Sequence, residues 1–287
     1  MQEVADLKIG DITVMAHTEE ALPTSRRFLF PWMTQEHLTP FMDWIVPHYY
    51  DPEADKLLMT IQTLILRVGD TTVLVDTCLG NDKKRGNPAW NMRQGDYLER
   101  LRARGIAPQD VDYVLCTHLH TDHVGWNTRL VDGQWVPTFP NARYLCQREE
   151  LEHWKQTTEP EFAETFQDSV LPVLEAGMLD LADGAMYVTP GVELLPTPGH
   201  TPGHCSVRIT SGAGEGVITG DMTHHPVQFA MPEWSSQFCV NPEQATATRR
   251  AFRERFGEGT ARVIGTHFPG PLGGLIIRQG DDWRYEA

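Results

Sequence analysis

The chain has 287 residues, with 39 Asp and Glu against 24 Lys and Arg, giving a formal net charge of −15. That balance counts against a nucleic-acid partner, because gripping a phosphate backbone draws on clustered Lys and Arg. No run of 18 apolar residues occurs, so no membrane span is expected, and the length suits either one large sheet-rich domain or two smaller ones. Met1-Gln2-Glu3-Val4-Ala5-Asp6 has no basic region leading into an apolar one, so no signal peptide is expected. The cysteines Cys78, Cys116, Cys146, Cys205 and Cys239 are odd in number and irregularly spaced. They read as reduced thiols in a cytoplasmic protein.

In chain order, residues 7–16 read as a first strand. Residues 28–50 gather Phe28, Phe30, Trp32, Phe41, Trp44, Tyr49 and Tyr50 among Pro31, Pro40 and Pro47, and the prolines forbid one long helix. This segment fits a lid over a site, a contact between subunits of a homodimer, or packing against the core. Ile61–Val68, Gly69-Asp70 and Thr71–Asp76 read as a β-hairpin, and residues 81–95 as a polar, basic loop. Tyr97–Arg104 has helical spacing and stops at Gly105, before an apolar strand over Val111–Cys116. Another strand is expected over Ala142–Cys146, then helices over about 148–156 and 160–176, the second ending at Gly177. Short strands follow at about 186–195, 204–210 and 216–219. Pro242–Phe256 reads as a helix with Pro in its first turn, Ala261–Gly265 as a strand and 275–285 as a hairpin. This order suits an α+β fold of two facing sheets with helices outside.

The chemistry concentrates at Thr117-His118-Leu119-His120-Thr121-Asp122-His123, directly after a buried strand. On an extended backbone His118 and His120 face the same side. Asp122 and His123 come after the chain turns and can meet the same place from another direction. Imidazole and carboxylate suit zinc, iron and manganese, and so many donors suffice for two ions. Further candidates each end a strand or sit in a fixed turn. His200 lies in Thr197-Pro198-Gly199-His200-Thr201-Pro202-Gly203-His204, Asp221 follows Val217-Ile218-Thr219-Gly220, and His267 follows Val263-Ile264-Gly265-Thr266.

With these residues in this order, the sequence resembles the metallo-β-lactamase-fold hydrolases over roughly residues 60–280. Their signature is HxHxDH followed by a distant His, Asp and His. The resemblance implies an αβ/βα four-layer sandwich with a two-metal site at one edge. It implies one domain over 1–287, with residues 17–56 an aromatic-rich N-terminal extension. Carried over, His118, His120 and His200 hold one ion, Asp122, His123 and His267 hold the other, and Asp221 bridges both. Asp76 matches the early strand-end Asp and would orient a ligating His through a hydrogen bond. Two divalent ions are expected, Zn2+ by default, with Mn2+, Fe2+ or Co2+ admitted by the same ligands. Such ions lower the pKa of bound water from about 15.7 to about 7, supplying hydroxide at neutral pH. Asp122 is a candidate to orient that hydroxide or shuttle its proton.

Val75-Asp76-Thr77 and Asp122-His123-Val124-Gly125 resemble the lactonase and organophosphate-hydrolase branch. Quorum-quenching lactonases have a Tyr three residues after the bridging Asp. This chain has His224 there, a residue able to act as acid or electrophile. Asp221-Met222-Thr223-His224 with Val227-Gln228-Phe229 resembles the methyl parathion hydrolase-like branch instead. The Arg249, Arg250, Arg253 and Arg255 set reads as the solvated face of a helix, leaving no evident clamp for an anionic substrate. The expected substrate is therefore a small, hydrophobic, uncharged ester, a lactone or aryl ester. Trp126, Phe229, Phe30 and Trp32 are candidate contacts to it. Alternatives are a phosphotriester hydrolase, a β-lactamase or glutathione-thioester hydrolase, and an iron-dependent redox enzyme on the same fold.

Overall fold

The computed structural model describes residues 5–287. Two sheets carry the fold. The first has seven strands in the order Leu7–Ile9, Ile12–Ala21, Thr60–Val68, Thr71–Val75, Tyr113–Leu115, Arg143–Gln147 and Leu179–Ala182. Its first four strands pair antiparallel with one another, and its last three run parallel to the fourth, Thr71–Val75. The second has five strands, Met186–Thr189, Val192–Pro196, Cys205–Ser211, Gly214–Ile218 and Arg262–Ile264, of which only the last pair is parallel.

Strict alternation along the strands explains the layering, because successive side chains point to opposite faces. Leu64, Leu66, Val73, Val75, Leu115 and Leu145 meet Val192, Leu194, Val207, Ile209, Ile218 and Ile264 between the sheets. Their neighbours Ile65, Leu74, Val114, Tyr144 and Cys146 point outward, against Tyr97, Leu101, Leu151 and Trp154 on flanking helices. On the other side Val217 and Val263 pack against Phe252 and Phe256 of the helix Pro242–Phe256. Helix, sheet, sheet and helix are thus the four layers expected. Among the described residues no helix is long and apolar enough to cross a membrane.

Three local differences have physical causes. Residues 7–16 form two strands, because Gly10, at φ +56°, turns the chain between Ile9 and Ile12. The helix expected over 160–176 is a helix Pro160–Thr165, a π-turn Phe166–Val170 and a helix Leu171–Glu175. Pro172 has no N–H to give the carbonyl four residues back. That carbonyl, of Asp168, accepts from Lys83 Nζ at 3.3 Å and from Thr128 Oγ1 instead. Finally, Arg249 is buried rather than solvated, donating to the carbonyls of Pro232 at 2.6 Å and Met222 at 3.2 Å.

The aromatic segment wraps the outside of the second sheet. Leu29, Phe30, Met33, Leu38, Ile45, Tyr49 and Tyr50 are buried there with Val217, Phe229 and Phe268. Residues 17–21 belong to the long strand of the first sheet.

Candidate metal centre

Parallel strands deliver the donors to one edge of the sandwich. Thr71–Val75 ends at Asp76, and its neighbour Tyr113–Leu115 leads to His118 and His120. In the facing sheet Gly214–Ile218 leads to Asp221, and its parallel neighbour Arg262–Ile264 leads to His267. The turn into Cys205–Ser211 supplies His200.

His118 Nε2 lies 3.0 Å from His120 Nδ1, His200 Nε2 lies 3.0 Å from His120 Nδ1, and the remaining side of the triangle is 3.2 Å. Three imidazole nitrogens cannot all satisfy one another by hydrogen bonds. Nitrogens around one tetrahedral zinc, by contrast, stand roughly 3.3 Å apart, given Zn–N bonds of about 2.0–2.1 Å. Asp221 joins this group, and Asp122, His123 and His267 converge as a second group, each set of donor atoms lying within 4.8 Å. Asp221 faces both: its Oδ2 is 3.6 Å from His200 Nε2 and 3.4 Å from His123 Nε2, and its Oδ1 is 3.0 Å from His267 Nε2. Yet Asp221 Oδ1 and His123 Nε2, both buried, lack an aligned hydrogen-bond partner. Buried polar atoms rarely stay unpaired, so donors aimed past one another at common points fit a pair of cations.

The electrostatics agree. Burial pushes His118 and His200 well below the ordinary histidine range and His120 down to about 4, keeping these imidazoles neutral with free lone pairs. Burial alone would also lower His123, but the carboxylates of Asp221, Asp122 and Asp76 outweigh it and raise it well above the usual value. His267 is raised by Asp221 in the same contest with burial. Burial would raise Asp221, and the imidazoles of His267, His123 and His224 instead hold it well below the carboxylate range. The first group thus offers neutral nitrogen donors, while the carboxylates around the second favour positive charge there.

The supporting shell fixes which nitrogen each ring presents. Asp76, at φ +59°, takes Thr117 N and Thr117 Oγ1 at 2.8 Å each and His123 Nδ1 at 2.9 Å. Its backbone conformation is one that Asp tolerates better than most residues. His267 Nδ1 donates to Thr60 O at 2.7 Å.

Two supporting residues carry no role in the sequence analysis. His204 is fully buried; its Nε2 accepts from Asp221 N at 2.8 Å and its Nδ1 donates to Thr197 O at 3.0 Å. Gly220, at φ +55°, makes that approach possible, since a Cβ there would lie 2.5 Å from His204 Nε2. Glu150, also fully buried, accepts from Leu119 N and Gly203 N at 3.0 Å each and from Trp154 Nε1 at 2.6 Å. It therefore ties the residue between His118 and His120 to the turn carrying His200. Glu150→Gln replaces an acceptor by an amide N–H facing one of those donors. It is expected to weaken metal binding by the His118–His120–His200 group about 10–100-fold, the usual cost of losing such a partner. Chelator-competition titration would check this, and unchanged affinity would contradict it.

A cavity of ≈ 420 Å³ opens onto the donors. Leu22, Phe28, Leu29, Met59, Trp90, Phe162 and Phe238 line it, with His120, Asp122, His200, Asp221, His224 and His267 also on its walls. His224 is 3% exposed, its Nε2 lies 3.3 Å from Asp221 Oδ2, and neither ring nitrogen has an aligned hydrogen-bond partner. The four expected aromatic contacts are not on this wall. Trp126 stacks on Tyr97 with centroids 5.2 Å apart and donates to Glu19 Oε1 at 2.7 Å. Phe229 is in the core against Phe252 and Tyr285. Phe30 is buried in that same core, and Trp32, 47% exposed, leans edge-on to Trp234. Nearness in sequence to a ligand does not set a side chain's direction; the strand and turn it follows do.

Residues 59–267 match the Metallo-beta-lactamase superfamily. An N-acyl homoserine lactonase from a Bacillus species is 34% identical over 189 residues, covering 61% of this chain and 69% of that one. A metallo-beta-lactamase domain-containing protein 1 from Xenopus laevis is 31% identical over 171 residues, covering 59% and 55%. Among solved structures, the hydrolase AbOPH superposes with a TM-score of 0.79 at 24% identity, covering 99% of this chain and 97% of that one. AidC, described as a dizinc quorum-quenching lactonase in complex with a product, does so at 0.77 and 20% identity with the same coverage. At those identities the likeness is one of fold.

Proposed function

The chain belongs to the metallo-beta-lactamase superfamily and is a metal-dependent hydrolase, and from this premise we propose that it opens lactones, hydrolysing the uncharged ring ester of a substrate with an apolar substituent. The observation that carries the reading is an apolar cavity with neither Lys nor Arg on its wall among the described residues, above two convergent donor groups. β-Lactams and glutathione thioesters bring carboxylates that such a wall does not pair. Lactonase relatives support the choice of ring ester.

His118, His120 and His200 would hold one ion, Asp122, His123 and His267 the other, with Asp221 shared and zinc the metal proposed for both. When bound, the pair supplies Lewis acidity and water made acidic enough to attack an ester at neutral pH. The chain's own residues do the rest. Leu22, Phe28, Phe162 and Phe238 bury the apolar part of the substrate and keep bulk water away. Asp122 orients the attacking water and receives its proton. His224, beside Asp221 and facing the cavity, donates a hydrogen bond to the ester and a proton to the leaving oxygen. Asp76 and His204 hold the His123 ring and the Asp221 backbone still.

A substrate panel on metal-loaded protein tests the reading. It would contain an N-acyl homoserine lactone, a simple lactone, an aryl ester, a phosphotriester, a β-lactam and S-lactoylglutathione. The expected result is highest kcat/KM on the lactones. Turnover confined to the anionic substrates would overturn it.

A further inference from the structure

Among the described residues, Glu161 is the only carboxylate on the cavity wall besides Asp122 and Asp221. It opens the short helix Pro160–Thr165, one residue before Phe162, whose ring stacks on His120 at 5.1 Å between centroids. Its carboxylate lies over Gly86, where a Cβ would stand 3.1 Å from Oε2. Only its backbone carbonyl accepts a hydrogen bond, from Thr165 Oγ1 at 3.0 Å; its carboxylate has no ion-pair partner among the described residues. Glu161 also borders a second cavity, of ≈ 990 Å³, that shares His120, Phe162 and Phe238 with the first. The far wall of that cavity adds Glu149, Glu152 and Glu159, again with no Lys or Arg.

We infer that Glu161 is a charge filter at the junction of the two cavities, selecting neutral esters over anionic ones and speeding departure of the carboxylate product. This deepens, and rests on, the lactone and ester reading above. Hydrolysis breaks the acyl C–O bond and joins a water oxygen to the acyl carbon. The alcohol oxygen takes one proton of that water and the other is released, leaving a carboxylate. Substrate is neutral and product anionic, so a fixed negative charge acts on one and not the other. In a cavity screened less than bulk water the repulsion is several-fold stronger than in solution. Beside the same metal pair, an acid that has neither Lys nor Arg with it on either wall, among the described residues, therefore adds discrimination by charge while leaving apolar recognition to the aromatic residues.

The test uses metal-loaded wild type, Glu161→Gln and Glu161→Lys. The ratio of kcat/KM for 4-nitrophenyl butyrate to that for monoanionic 4-nitrophenyl succinate is measured alongside the affinity for butyrate by calorimetry. The ratio is expected to fall about three- to tenfold in the Gln variant and further in the Lys variant, with a larger effect at low salt. Butyrate affinity should rise in the same order. A ratio and a butyrate affinity unchanged in both variants would overturn the filter. Absence of turnover on both esters and on the lactones of the panel would instead defeat the hydrolytic reading, and the butyrate affinities would still decide the role of Glu161.

Discussion

Asp221→Ala is expected to reduce bound metal below two ions per chain and to lower lactone turnover by about a thousandfold or more, ~4 kcal/mol of transition-state stabilisation. The size follows from its position. One carboxylate faces His200 and His123 through Oδ2 and His267 through Oδ1, so its removal strips both donor groups at once. It also leaves buried His123 and His267 without the carboxylate that raises them. Asp221→Asn keeps the shape but not the charge, and should fall between wild type and Ala. Metal analysis and kcat on the same samples check this. Full metal content and near-wild-type turnover in Asp221→Ala would remove the bridging role.

The second large effect is at His224. His224→Phe should lower kcat about 10²–10⁴-fold, the range for loss of a positioned general acid, while metal content stays at the wild-type level. His224 reaches the cavity and Asp221 but belongs to neither donor group. His224→Tyr offers a hydroxyl donor in place of the imidazole N–H from the same backbone position and should retain more activity than Phe. Equal activity of the Phe variant and wild type would assign leaving-group protonation elsewhere, and metal loss in that variant would make His224 a ligand.

How much of this was legible in the sequence depends on how each residue reaches the site. The convergence of these side chains is readable because His118, His120, Asp122 and His123 are nearly consecutive and the others each follow an apolar strand or a fixed turn, so local chain geometry already aims them. The central strands are readable for a similar reason: the apolar runs Thr60–Val68 and Thr71–Val75, split by the turn Gly69-Asp70, are a local property. The cavity wall was not. Leu22, Trp90, Phe162 and Phe238 come from four distant segments and meet only through tertiary packing. Trp126 was misplaced because its ring is claimed by Tyr97 and Glu19, residues 29 and 107 positions away. Glu150 carried no signal in a helix rich in acids, since its burial depends on the close approach of Gly203, where a Cβ would lie 2.2 Å from Glu150 N. His204 stood in a quoted run, but only the fold puts its Nε2 against Asp221 N. The π-turn at Phe166–Val170 was signalled by Pro172, whose consequence depends on Lys83 arriving from another loop.

The most direct single measurement is proton release during hydrolysis of an N-acyl homoserine lactone, followed by pH-stat on one sample before chelation, after it and after return of zinc. The expected result is one proton per ring opened, loss of release on chelation and recovery with about two zinc ions per chain. Release that persists through chelation, or none from protein holding two ions, would contradict it.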